Sequence, residues 1–313
     1  MPRRKTALLK EARSGFSLIE TTVVLVIVGI IGSTVAVLLM RQQRFYRGTS
    51  ELIATRQSVR DGIDVLTTDI RGMSLADTAR LLADSAIEFF STVGTSVVCQ
   101  QLSPSDVGLP PVSSSGSALT SFAAQPDTGD LAVFYVDSAP PTSHWYRYRI
   151  VAFNSRSIST TCPTSSAFAS DADVVGAAKA YVLSLDAPLA GAVRAGSPVR
   201  FVRRGRYSLY RGSDGDWYLG YRRCNAVGAV ASACGAIQPL SGPYRPYSPD
   251  ATQSGLVLEY FDRGGGDARS APLSLARVDV TARAASRESL LIEGARWTPA
   301  DSAKVSVAVR NRL

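Results

Sequence analysis

Few residues in this chain could do chemistry. It holds one histidine, His144, and four cysteines, Cys99, Cys162, Cys224 and Cys234. A single histidine excludes zinc sites that need two. Any Ser–His or Cys–His nucleophile would have to use it. His144 lies in Ser-His-Trp-Tyr-Arg-Tyr-Arg, at the start of a strand-like run, and reads as a sheet-edge side chain. The cysteines form no CxxC pair, which argues against a zinc ribbon or a thioredoxin-like site. Asp214 and Asp216, and the pair Asp171 and Asp173, are candidate calcium ligands. Calcium takes six or more oxygens, the EF-hand pattern is absent, and a role in turns is expected for them. Arg263-Gly264-Gly265-Gly266 lacks the Gly-Lys-Ser/Thr ending of a phosphate loop and reads as a hairpin tip. No two residues read as a general acid/base couple. No enzyme, no resident metal and no cofactor are expected.

Charge points in a different direction at first. The 313 residues carry 34 Lys+Arg against 26 Asp+Glu, a net charge of +8, with a pI near 9.5. A basic surface attracts nucleic acid or anionic membranes. Arg200, Arg203, Arg204, Arg206, Arg222 and Arg223 are interleaved with Phe201, Tyr207, Tyr210, Trp217 and Tyr221. Such a mixture can hold single-stranded nucleic acid. Alternation along a strand sends half of these residues to the opposite face, so a continuous patch is not expected and neither is nucleic-acid binding.

The elements that must position anything else begin at the amino terminus. Residues 1–15 carry Arg3, Arg4, Lys5, Lys10 and Arg13 against Glu11. Phe16 to Met40 follows with a single charge, Glu20. Val and Ile dominate this run, but no strand is so long. An apolar helix of this length spans a hydrocarbon core about 30 Å thick. The basic segment before it belongs in the cytoplasm, which places the rest of the chain beyond the inner membrane. Two details do not suit a plain anchor or a cleavable secretion signal. The small-residue site, Ser14-Gly15, precedes the apolar run instead of following it. Glu20 places a carboxylate in the span, at a cost of a few kcal/mol, with no cation in the span to pair with it.

The stretch Gly15-Phe16-Ser17-Leu18-Ile19-Glu20 resembles the prepilin signal of the type IV pilin and pseudopilin family. The resemblance implies cleavage between Gly15 and Phe16 by a prepilin peptidase, and N-methylation of Phe16. It makes Glu20 the fifth mature residue, whose carboxylate pairs with the α-amino group of a neighbouring subunit and sets axial register. Such pairing offsets the cost of burying each charge. Gly29 and Ser33, a small-xxx-small pair, would allow close helix contact. The leader would remove five basic residues and one acidic one, leaving 29 against 25. Half of the apparent basicity then belongs to a disposable segment.

Past Met40, apolar Phe45, Leu52, Ile53, Val59, Ile63, Leu66, Ile70 and Met73 keep helical spacing. No proline lies between Pro2 and Pro104. One helix is expected from near Phe16 to Arg71. Its upper part, residues 41–73, is an amphipathic continuation lying on a sheet. The segment Asp64-Val65-Leu66-Thr67-Thr68-Asp69-Ile70-Arg71 is similar to the helix end of large minor pilins of the PilW type. So is the chain's ending, from Gly255 to Arg312.

Residues 74–313 read as a β-rich head outside the cytoplasm. Ala86–Ser91 and Thr95–Gln101 suggest a hairpin across 92–94, and residues 104–129 a long surface loop. Further strands are expected at 130–136, 144–153, 180–185, 200–210, 217–223, 277–283 and 304–310. Asp-Gly in 212–216 marks a hairpin turn. An even cysteine count in such a head favours disulfides. Three connectivities are open; Cys224–Cys234, closing a short loop, is favoured, leaving Cys99–Cys162.

The fold class is thus α+β, pilin-like: a long N-terminal helix packed on antiparallel sheet in an enlarged head. The expected role is a structural minor pilin that primes or tips a type IV pilus. The alternatives are a pseudopilin of a type II secretion system, or a pilin that binds DNA or a surface. The implied partners are other pilins or pseudopilins, the prepilin peptidase, an inner-membrane assembly platform and the membrane itself.

Overall fold

The computed structural model describes residues 17–73, 81–112, 119–136, 144–176, 178–226, 234–286, 289–292 and 295–309. Its first element is a single α-helix, α1, Leu18–Arg71, 54 residues long. At 1.5 Å per residue it extends for about 80 Å. Ser17 opens it in an extended conformation, and its Oγ accepts a hydrogen bond from the Glu20 amide at 3.2 Å. Gly72 closes it, donating its own amide to Thr68 at 3.1 Å.

The helix has two halves with different surroundings. From Leu18 to Arg47 every residue is exposed, and an 18-residue window reaches a mean hydropathy of 2.9. This half is long and apolar enough to cross a membrane. From Gly48 onward one stripe is buried: Gly48, Thr55, Val59, Gly62, Ile63, Leu66, Thr67 and Ile70. The stripe is narrower than the sequence pattern suggests. Ile53 is 57% exposed, because two residues from Thr55 is about 200° around the helix. Phe45 is 70% exposed, because it lies below Gly48, where the buried stripe ends.

The head is built on strands. Those before the first long connection are β1 (Leu81–Ala83), β2 (Ala86–Val97), β3 (Gln100–Gln101), β4 (Asp106–Leu109), β5 (Ser121–Phe122), β6 (Leu131–Val136) and β7 (His144–Ser157). Two short helices, α2 (Ile158–Thr161) and α3 (Asp171–Val175), lead to β8 (Lys179–Leu185), β9 (Pro198–Arg211), β10 (Trp217–Cys224) and β11 (Gln238–Tyr244). The tail supplies β12 (Leu256–Phe261), β13 (Arg277–Ala285), β14 (Leu290–Ile292), β15 (Ala295–Trp297) and β16 (Ala300–Ala308). Fourteen of these strands join one sheet, and all the described pairings are antiparallel. The pair β14–β15 stands apart.

The upper half of α1 lies on this sheet. Val59, Ile63, Leu66 and Ile70 pack with Ile87, Phe89, Tyr207, Leu258, Val278 and Val280 in one core. Each such side chain contributes about 1.5–3 kcal/mol on burial. A second core, with Leu109, Phe134, Ile150, Leu183 and Phe201, forms away from the helix.

Two expectations for the head are corrected. There is no hairpin across 92–94: β2 runs unbroken through it, paired along its length with β9. The turn-like Gly94 follows a bulge instead, where pairing with β9 shifts between Thr92 and Gly94. A Cβ on Gly94 would stand 2.6 Å from the Phe122 ring, so glycine is there to let β5 approach. Nor is 104–129 a plain surface loop. It holds β4 and β5, and Val107 and Leu109 are fully buried. Prolines 104, 110 and 111 bracket β4, which is why the segment reads as loop. The other expected strands are present, with bounds within four residues of those expected. The 304–310 strand is shifted to Ala300–Ala308, and Arg310 lies outside the described residues. Val278, Val280 and Ala282 are buried as their alternation predicts. Asp279 and Thr281 on the other face are covered too, since β13 lies between β12 and β16.

Gly62 sets how closely the helix meets the sheet. A Cβ there would collide with the Tyr244 hydroxyl and stand 2.5 Å from Ser241 Oγ. Alanine would gain about 1 kcal/mol of helix propensity, but overpacking costs about 1–3 kcal/mol. Gly62→Ala is therefore expected to lower the stability of the detergent-solubilised chain. Denaturant titration by tryptophan fluorescence checks this, and a midpoint raised by the substitution would show that the contact yields freely.

Candidate functional site

The apolar half of α1 carries the residues singled out by sequence. Gly15 and Phe16 lie outside the described residues. Glu20 is in the first turn of α1, three residues past the Ser17 cap. A carboxylate there faces the positive end of the helix dipole. Its side chain is exposed, and the next acidic residue along the chain is Glu51. Gly29 is open: a Cβ built on it meets nothing within 4 Å. Ser33 donates its hydroxyl to the Ile30 carbonyl at 2.9 Å, so it presents a small, already satisfied surface. Nine residues separate Glu20 from Gly29, which at about 100° per residue places them on opposite faces of the helix. Glu20 and the Gly29–Ser33 pair therefore suit contacts with two different neighbours.

The upper half of α1 is fixed to the head by polar links the sequence reading did not isolate. Ser58 Oγ donates to the Gly242 carbonyl at 2.7 Å and accepts from the Gly242 amide at 2.8 Å. Tyr244 donates to the Ser58 carbonyl at 2.9 Å. Tyr207, stacked on Phe89, donates its hydroxyl to the Asp69 carboxylate. Burial pushes the Asp69 carboxyl above its ordinary value, against the lowering effect of Tyr207 and Arg203. Burial likewise raises the Tyr207 phenol.

The basic run on β9 and β10 is not a continuous cationic surface. Alternation divides it as expected, and acidic partners occupy four of its arginines. Arg204 and Arg206 donate their Nε atoms to the two oxygens of Glu88, each at 2.7 Å. Glu88 and Arg204 are fully buried. On the opposite face Arg203 reaches Asp130, and Arg223 reaches both Asp127 and Asp130. Arg200 lies over the Trp145 ring at 5.1 Å. The retrospective signal for Glu88 is plain: it is the lone charge in Ala-Ile-Glu-Phe-Phe.

Cys99 is bonded to Cys162 and Cys224 to Cys234, the favoured pairing. Glu88 lies within reach of Cys224 and Cys234, but bonded sulfurs offer no thiolate to a metal. Asp214 is engaged inside its turn, accepting from the Asp216 amide at 3.2 Å and from the Tyr218 hydroxyl. Asp173 completes a capping box with Ser170 at the start of α3, and Asp171 occupies the same first turn. His144 is exposed at the start of β7, opposite Val136. The Arg263–Gly266 segment is a turn, with Asp262 accepting from the Gly266 amide at 2.8 Å and Gly265 at φ +85°.

Fold and site together define a class: a disulfide-bearing antiparallel head carried on a helix long enough to cross a membrane. Comparison with known protein families, with curated proteins and with solved structures returns no match to this chain. The particular role of the chain rests on its own residues.

The raised Asp69 carboxyl makes stability depend on pH. Between its unfolded and folded pKa the native state binds the extra proton, so this group's contribution falls as pH rises through that window. Asp69→Asn keeps an oxygen for Tyr207 and removes the charge. The variant is expected to be more stable than the parent at neutral pH, with the difference vanishing toward pH about 4. Denaturant midpoints across pH measure it; a deficit at neutral pH that disappears in acid would mean the carboxylate itself is the stabilising form.

Proposed function

We propose that this chain is a structural minor subunit of a type IV pilus or a related pseudopilus. It is made as a membrane precursor and processed between Gly15 and Phe16. The observation that carries the reading is the two-part helix. One unbroken helix begins with an apolar run, to Met40, whose single charge is Glu20, and it ends as part of the core of a folded head. A plain anchor does not require the same helix to serve as head core, and it gains nothing from a carboxylate that is costly to place in the bilayer.

The mechanism is partition between two apolar surroundings. The lower half waits in the bilayer and then transfers into a bundle of like helices. Glu20 finds the α-amino group of a neighbour, which fixes the axial register. Gly29 and Ser33, on the opposite face, allow close packing against another neighbour. The size of the head favours a subunit at the tip over one repeated along a shaft. The pairing of Arg203, Arg204, Arg206 and Arg223 with acidic residues inside the head weighs against a DNA-capturing role.

Two measurements test this. Mass spectrometry of the mature protein is expected to find methylated Phe16 as the first residue; an intact leader, or a cut beyond Met40, overturns the assignment. Glu20→Ala is expected to insert into membranes normally yet to be missing from sheared filaments. Normal incorporation would remove the register role while leaving the processing step intact.

A further inference from the structure

Between the apolar half of α1 and the head lies a short collar that neither half uses. It holds Arg41, Arg44, Phe45, Tyr46 and Arg47, all exposed, with the two aromatic rings 70% exposed and 6.1 Å apart. No described residue forms an ion pair with the three arginines. The helix itself offers none, because no acidic residue occurs from Thr21 to Ser50. Glu51, the first above them, accepts a hydrogen bond from Ser286 at 2.6 Å.

The position of the collar is as telling as its composition. From Met40, where the apolar run ends, to Gly48, where burial begins, is eight residues, about 12 Å of helix. The headgroup layer of a bilayer is roughly 5–8 Å per leaflet. The collar therefore spans that layer when the apolar half spans the hydrocarbon. Arg41, Arg44 and Arg47 step around the helix by about 300° each and cover an arc of about 120°. Gly48 lies four residues from Arg44 and seven from Arg41, so the buried stripe continues downward between these two arginines. They thus lie beneath the head. Just above the collar, Ser286 is held to Glu51 and to the Pro299 carbonyl. Arginines on this side also work against the topology signal of the leader, so a compensating use is needed.

We propose that the collar is a docking surface for anionic phospholipid headgroups, with Arg41, Arg44 and Arg47 as phosphate ligands and Phe45 and Tyr46 as interfacial anchors. Guanidinium groups match phosphate oxygens bidentately, and aromatic rings settle at the headgroup level. The contact would hold the waiting subunit at a defined depth. The inference rests on the membrane-spanning part of the reading above and is independent of filament assembly.

The test uses the full chain in a neutral detergent, titrated with phosphatidylglycerol or phosphatidylcholine and read by native mass spectrometry. The parent is expected to bind phosphatidylglycerol at least about tenfold more tightly, on the scale of 1 kcal/mol per basic residue at a membrane surface. R41Q/R44Q/R47Q is expected to lose the preference. R56Q/R60Q/R71Q, which removes the same charge from exposed positions of the upper helix, is expected to keep it. Equal binding of the two lipids by the parent, or a preference that survives in R41Q/R44Q/R47Q, overturns the proposal. Release of the chain from membranes by alkaline carbonate overturns the span and the proposal together, whereas failure to enter filaments bears on assembly alone.

Discussion

An α-helix unbroken for 54 residues satisfies its own backbone along the whole length, so side chains alone decide its surroundings. Here they change once. From Leu18 to Met40, Glu20 apart, the helix is predominantly apolar all round, which suits hydrocarbon or other apolar helices. Above Gly48, a narrow stripe is apolar, which is what one face of a sheet can accept. The remainder of the molecule follows from this division. The sheet is large because it must cover Val59, Ile63, Leu66 and Ile70 and still close a second core beyond them. Glycine occupies position 62 because β11 at Ser241 and Tyr244 comes too near for a side chain.

Charge is managed on the same plan. In the head, guanidinium groups with little access to solvent meet carboxylates: Arg204 with Glu88, and Arg203 with Asp130. Desolvating an ion pair costs several kcal/mol per ion before attraction repays it. These pairs are therefore better regarded as fixing the register of β2, β6 and β9 than as a large source of stability. On the apolar half of α1 the single carboxylate has no protein partner within its own span, and below the head the arginines of the collar have none either. Glu20 and the collar arginines lie outside the head, on the exposed part of α1.

Much of this was legible in the sequence where one physical signal acted alone. The helix read correctly to within two residues at its start because nothing between Pro2 and Pro104 could stop it. The Asp-Gly hairpin and the apolar face of β13 read correctly for the same reason, whereas its other face is covered as well. Legibility failed where a tertiary contact overrode a local signal. Gly94 reads as a turn until Phe122 explains the missing side chain. Val107 and Leu109 read as loop because the prolines around β4 outweigh a four-residue strand. Phe45 is apolar and roughly in phase, yet it lies below Gly48, where burial ends, and Ile53 is apolar but out of phase with the buried stripe. Glu88 was passed over because its partners lie more than a hundred residues away.

The same unbroken helix links the two ends of the molecule mechanically. Ser58 and Asp69 are bonded to Gly242 and Tyr207, so the upper half cannot rotate freely against the head. The lower half inherits that orientation, because no proline interrupts the hydrogen-bond ladder between them. The direction in which Glu20 points is therefore set, through about 38 residues of helix, by the packing of Ser58 on β11. In a bundle of the proposed kind, a subunit that seats Glu20 correctly also sets the bearing of its head. Neighbouring heads would then be placed by the helix as well as by their own surfaces, and the collar would hold that bearing at a constant depth before assembly.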